Sequence, residues 1–443
     1  MNKSGPLSLP FIKLYAITFL FFSANPILNV IVPLRSEAGG ATNAEIGVMM
    51  GAYMITSMLF RPWAGNVVQR FGPLSVLRVL LLANGLILIL YTISGLEWYF
   101  VLRAMQGVTT AFFSLALQLG IVDKLAHNDR SQGISLYLLA GMLPTVIGPI
   151  LALSLWDWGG MSAFTVAMIV IAVATGLIGF TAPLPSGSQA MDKQEQVGQG
   201  AGELAGQGME KQTGQDKEQR AGQSMEQKTS QGIEQQTTSL SSQLRQLWTH
   251  RAFLICSTAM LVASVSFGAV TTFIALYTQQ SGVGHAGVYL MLQAGVMVLC
   301  RFALRKKVPS DGQWHPRFLT GLLLSMAVGL NLLALAVFGG ALLMYAGSML
   351  IGLGMALLYP HLVTYLTIVL PAASRNTLIG VFIAVSDLGS VLGNIVMGTV
   401  ADYLSYSFMY GICAGLLLGV VAVVVIGGRR LVVFQEHRAS HSG

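Results

Sequence analysis

The chain has 443 residues, 54% of them hydrophobic and only 10% charged, with a net charge of +7 and a mean hydropathy of +0.67. Soluble proteins carry about 25% charged residues, so this composition excludes an ordinary soluble enzyme and describes an integral membrane protein. The Lys and Arg residues sit at the ends of apolar runs rather than on one face, which excludes a nucleic-acid surface. The runs themselves have the ~20-residue length of spanning helices, not the ~10-residue alternation of a β-barrel.

About twelve spans are predicted. The first, 11–34, is too long for a signal-peptide core and lacks a small-residue cleavage site, so it is read as a membrane helix. It carries Asn25 and Asn29, one helical turn apart on one face, with Pro26 between them to loosen the backbone. The second span, 45–66, holds Tyr53 and, two turns later, Arg61. The next two are 75–95 and 98–121, and the latter places Arg103 and Gln106 on one face. Spans 132–156 and 161–183 complete a first half, residues 1–183.

Residues 184–247 are rich in Gln, Gly and Glu, nearly free of aromatics, and repeat "MDKQ", "MEKQ" and "MEQK". Such a stretch buries too little apolar surface to offset the entropy of ordering and is predicted to be a disordered cytoplasmic linker.

A second half, 248–428, holds spans 252–278, 285–305, 318–338, 341–369, 376–401 and 405–427, followed by a tail, 429–443. Tyr289, Gln293 and Arg301 lie on the second of these spans. Tyr359, His361 and Tyr365 flank a break predicted at Pro360, and Asp387 and Asn394 lie on the fifth. Alternate connectors collect the basic residues: Arg70 and Arg78, Lys124 and Arg130, Arg305, Lys306, Lys307 and Arg317, Arg375, and Arg429 and Arg430. The opposite set holds only Arg35. The positive-inside rule therefore predicts that both termini are cytoplasmic.

The halves repeat each other. "LFRPWAG" and "LCRFALR" align Arg61 with Arg301 at an offset of 240, and the segments beginning at Arg130 and Arg375 align Gly148 with Gly393 at an offset of 245. In that alignment Asp387 faces Met142. Two six-helix bundles related by an axis along the membrane normal are the build of a secondary transporter of the major facilitator type.

The motifs carry the same resemblance. Gly65, Arg70 and Gly72 match the loop pattern G-x-x-x-D-R-x-G-R-R/K of the major facilitator superfamily. Gln69 stands for its acid and Pro73-Leu74 for its basic pair. Arg103, Gln106 and Gly107 match R-x-x-Q-G, and Gly148-Pro149 match the centre of the antiporter motif G-x-x-x-G-P-x-x-G-G. Within the superfamily, "FFSANPILNVIVPLR", "YMITSMLFRPWAG", "FGAVTTFIALYT" and "KKVPSDGQWHPRF" resemble the exporters of staphylopine-type opine metallophores. That resemblance implies an all-α fold, residence in the cell membrane, a nicotianamine-like polycarboxylate as cargo, protons as coupling ion and a monomeric state.

Each candidate residue has two readings. Asn25 and Asn29 are ligand contacts or interhelical glue. Arg103 needs a partner, a substrate carboxylate or a protein acceptor; with Gln106 it is assigned to substrate binding, and also to proton exchange. Arg61 and Arg301, with Tyr53 and Gln293 on nearly the same helix faces, form a cationic entrance or act as snorkelling anchors. Tyr289, Tyr359, Tyr365 and Asn394 complete the candidate substrate-binding set. His361 is a proton relay or a satisfied neutral ring. An acid inside a membrane span is a functional candidate by default, so Asp387 either couples proton entry to substrate exit or is locked to a neighbouring Arg.

No Walker sequence, nucleophile elbow or metal-ligand cluster occurs, so no enzyme activity, cofactor or resident metal is expected. Three functions stay open: export of a carboxylated metabolite by proton antiport, multidrug:proton antiport, and sensing or scaffolding through the linker.

Overall fold

A computed structural model describes residues 6–125, 129–181, 250–304, 307–309, 311–371 and 374–440. The predicted linker, 184–247, lies outside them. Among the described residues the fold is entirely helical. Its α-helices are α1 (Leu9–Ala38), α2 (Asn43–Phe71), α3 (Pro73–Ile93), α4 (Tyr99–Lys124), α5 (Arg130–Phe180), α6 (Arg251–Ser281), α7 (Ala286–Ala303), α8 (Pro316–Ala334), α9 (Ala336–Val369), α10 (Arg375–Tyr403) and α11 (Tyr406–Ser440). Ten are long and apolar enough to cross a membrane. The eleventh, α2, is 29 residues long but diluted by Thr56, Ser57, Arg61 and Pro62.

The predicted spans five and six are the two arms of α5, divided by a kink at Gly160 (φ 53°, ψ −130°). Counting both arms gives twelve crossings. In α9 the departure from helical geometry is at Gly340 (φ 78°) and the helix runs on through Pro360, so the break expected at that proline lies 20 residues earlier.

Local chemistry sets the helix ends. Thr42 and Glu45 form a reciprocal capping box at the start of α2. Gly72 alone separates α2 from α3, with φ 78° and ψ 147°. A side chain is strained there, so the matched loop glycine is explained by the turn itself. Gly65 by contrast faces open space, and Arg70 is exposed, with its guanidinium 5.5 Å from the Phe71 ring.

Two antiparallel seams join the halves: α2 lies along α10, and the first arm of α5 lies along α7. Within the first half, Gly107 lets α4 touch α2, because a Cβ there would collide with the Tyr53 carbonyl and Thr56. Gly148 lets α5 seat against the Pro26 ring of α1. The obstacle at Gly107 includes backbone, which cannot swing aside. Gly107→Ala is therefore expected to cost about 1–3 kcal/mol, seen as a lower unfolding midpoint in detergent.

Candidate functional site

The first arginine cluster is built where α1, α2 and α4 meet, in the outer half of the membrane as the basic residues orient it. Arg103 is fully buried. Its Nη1 donates to Asn25 Oδ1 (3.2 Å) and Gln106 Oε1 (3.2 Å), and its Nη2 donates to Asn29 Oδ1 (2.6 Å) and to Met50 Sδ (3.0 Å). The Tyr91 hydroxyl also donates to Gln106 Oε1 (3.3 Å). The guanidinium lies 5.6 Å from the centre of the Tyr53 ring, and its Nε has no partner. Among the described residues no carboxylate pairs with it. A charge removed from water is costly unless countered; here the counterweight is amide oxygens, thioether sulfur and an aromatic face. Asn25 and Asn29 on α1 and Arg103 and Gln106 on α4 thus form one network.

Beside this cluster lies a small cavity of about 30 Å³, lined by Asn29 and Tyr53 from the first half and Thr271, Thr272, Ser390 and Asn394 from the second. Met50, Met54 and Phe267 supply its apolar wall. In the orientation that satisfies its neighbours, the Asn394 amide nitrogen faces the Gly268 (3.0 Å) and Ser390 (3.1 Å) carbonyls.

A second cluster sits toward the cytoplasmic ends. Arg61 Nη1 on α2 donates to Asp387 Oδ2 on α10 at 2.8 Å, so the intramembrane acid is held in an ion pair across the α2–α10 seam. The Arg61 side chain keeps 45% of its surface accessible and that of Asp387 23%. On the other seam, Arg301 Nη1 on α7 donates to Met142 Sδ on α5 at 3.7 Å, and its Nε lacks a partner. Tyr359 lies within electrostatic reach of Arg61, Arg301 and Asp387. Tyr53 lies within electrostatic reach of Arg103 as well as of Arg61 and Asp387.

Four candidates lie elsewhere. Tyr289 and Gln293 are buried on α7, and neither the Tyr289 hydroxyl nor Gln293 Nε2 has a partner. His361 and Tyr365 face the connector between α7 and α8. The His361 ring stands edge-on to Phe318 (5.0 Å) and the Tyr365 ring packs on Trp314 (5.1 Å). In that connector Asp311 accepts from His315 at 2.8 Å, a hydrogen bond that holds the Asp311 carboxyl below its ordinary range.

Sequence reasoning passed over the outer end of the α2–α10 seam. The Asp402 carboxylate, near the C-terminus of α10, accepts from the backbone N–H groups of Asn43 and Ala44 (2.8 Å each) and so caps helix α2 of the other half. The Tyr406 hydroxyl donates to Asn43 Oδ1 at 2.6 Å. At Gly47 and Gly398 the backbones touch so closely that a Cβ would collide with the Asn394 or Asn43 carbonyl. The outer end of this seam is closely packed. A signal was available, because an acid in the last turn of a helix opposes its own dipole and is better placed to serve another helix's N-terminus.

The family profile of the Major Facilitator Superfamily matches residues 14–324. The Staphylopine export protein of Staphylococcus aureus (strain Mu50) is 40% identical over 420 residues, 95% of this chain and 96% of that one. Among solved structures, a variant of the nucleoside transporter NupG superposes with a TM-score of 0.70 at 13% identity, covering 94% of this chain and 99% of that chain. A bacterial homologue of the human lysosomal transporter Spinster, inward-facing and unoccupied, gives 0.64 at 12% identity, with 94% of each chain covered. At those identities the likeness is one of fold.

Proposed function

The chain belongs to the major facilitator superfamily, and from that membership we propose that it exports a small, multiply carboxylated metabolite of the staphylopine type across the cell membrane, in exchange for protons. The observation that carries the reading is Arg103: a fully buried cation, met only by neutral groups, beside a mostly apolar cavity between the two halves into which Asn29, Thr271, Thr272, Ser390 and Asn394 bring polar groups. Guanidinium binds carboxylate in a bidentate fashion, and an arriving carboxylate supplies the missing counter-charge. The asparagine amides are then freed to hydrogen-bond the rest of the cargo.

The close packing at the outer end of the α2–α10 seam supports loading from inside, as export requires. Asp387 would serve as the proton carrier. A carboxyl group sequestered from water favours its neutral form, so protonation would release Arg61 and let the α2–α10 seam part, whereas deprotonation would restore the pair. Inward proton flow then drives outward cargo movement.

The test compares metabolites in cells and medium under metal limitation, with and without the gene. A metal-binding polycarboxylate that disappears from the medium and accumulates inside the deletion strain is the expected result. If it is unaffected while dye or drug efflux falls, the cavity's Met50, Met54 and Phe267 wall is the feature that matters, and multidrug antiport is the function. Removing residues 190–235 should leave export intact; its loss would favour signalling through that segment.

A further inference from the structure

The two seams are equivalent by the internal repeat but not in chemistry. Arg61 aligns with Arg301 and Met142 with Asp387, and the structure realises both pairings: Arg61 meets Asp387 at 2.8 Å, Arg301 meets Met142 at 3.7 Å. One seam closes on a carboxylate. The other presents the same guanidinium to a thioether, a weak acceptor with no charge.

Arg301 is partly buried, its Nε has no partner, and among the described residues no carboxylate pairs with it. Its other electrostatic neighbour is the Tyr359 side chain, on α9. The place held by an acid on one seam is thus held on the other by a group that can neither neutralise the cation nor compete for it.

We infer that Arg301 is a second carboxylate-binding subsite, in which the cargo supplies the carboxylate that Asp387 supplies on the opposite seam. The inference rests on the reading of the protein as an exporter of a polycarboxylate and assigns one more of its charges. With Arg103 in the outer half and Arg301 toward the cytoplasm, a cargo with several carboxylates meets two cations at different depths, and a monocarboxylate satisfies only one. Met142 is then a specificity-determining position, because an acid there would fill the subsite from within.

The test is Met142→Asp, assayed for staphylopine uptake into inside-out vesicles against Met142→Asn, which has the same shape without the charge. Expected is a KM raised at least tenfold in Met142→Asp and far less in Met142→Asn. Equal KM values in the two variants, or a wild-type KM in Met142→Asp, would overturn the inference. Arg301 labelling by phenylglyoxal in the purified protein supplies an independent readout. Citrate should slow the labelling in Met142→Asn and leave it unchanged in Met142→Asp, and absence of citrate protection in Met142→Asn and the wild type overturns the subsite. If the wild type does not carry staphylopine, the proposed cargo falls, while the labelling result still decides the subsite.

Discussion

Arg103→Met lowers gradient-driven export at least about 100-fold. Two charge-assisted hydrogen bonds to a carboxylate are worth about 1.5–3 kcal/mol each, and methionine makes neither. Loss of Arg103 removes the cost of a buried charge but leaves three amide oxygens to find new partners, so folding is checked by the unfolding midpoint in detergent. The amides of Asn25, Asn29 and Gln106, which now accept from Arg103, can turn to one another. Arg103→Lys keeps the charge but loses the fork and should fall between the two. Measured as counterflow in proteoliposomes, Arg103→Met activity within about threefold of wild type would remove Arg103 from the cargo site.

The second large effect is expected at Asp387. Asp387→Asn should lose proton-driven export by about tenfold or more while still assembling and binding cargo. Both side chains of the pair are partly accessible, and such pairs contribute only about 0–1 kcal/mol to stability. Lost transport would therefore not be lost folding. The double variant Arg61→Gln/Asp387→Asn separates the two roles open to the acid. If Asp387 only balances Arg61, removing both charges restores coupling to the pH gradient, whatever Arg61 adds to cargo entry. If it carries the proton, the double variant stays uncoupled: cargo exchange persists but a pH gradient no longer drives accumulation. Wild-type coupling in Asp387→Asn would refute the proton role outright.

Much of this was legible in the sequence, for identifiable reasons. A bilayer imposes the length and polarity of each span, so the predicted limits fall within a few residues of most helix ends. Where they differ the cause is local: α5 reads as two spans but is one helix with a sharp bend at Gly160, and α9 tolerates Pro360 and bends at Gly340. Helical spacing put Asn25 with Asn29 and Arg103 with Gln106, but no local rule says that α1 and α4 bring those pairs together.

The repeat offered more. The offsets that align Arg61 with Arg301 and Asp387 with Met142 imply that one contact comes with the other. The docking of Trp314 on Tyr365 and the Asp402 cap had no such guide. Both are made between segments far apart in sequence, and neither leaves a periodic trace.

The Asp402 cap has a kinetic consequence. Outward opening must pull the N-terminus of α2 off a carboxylate that belongs to the other half. Both hydrogen bonds are made to an exposed carboxylate, so at about 0–1 kcal/mol each they add about 0–2 kcal/mol to the barrier and slow the opening by at most about 30-fold relative to an unlatched seam. Domain rocking on the microsecond scale would be slowed to at most tens of microseconds. The cap would thus lengthen the time for which α2 and α10 stay joined at their outer end before they part.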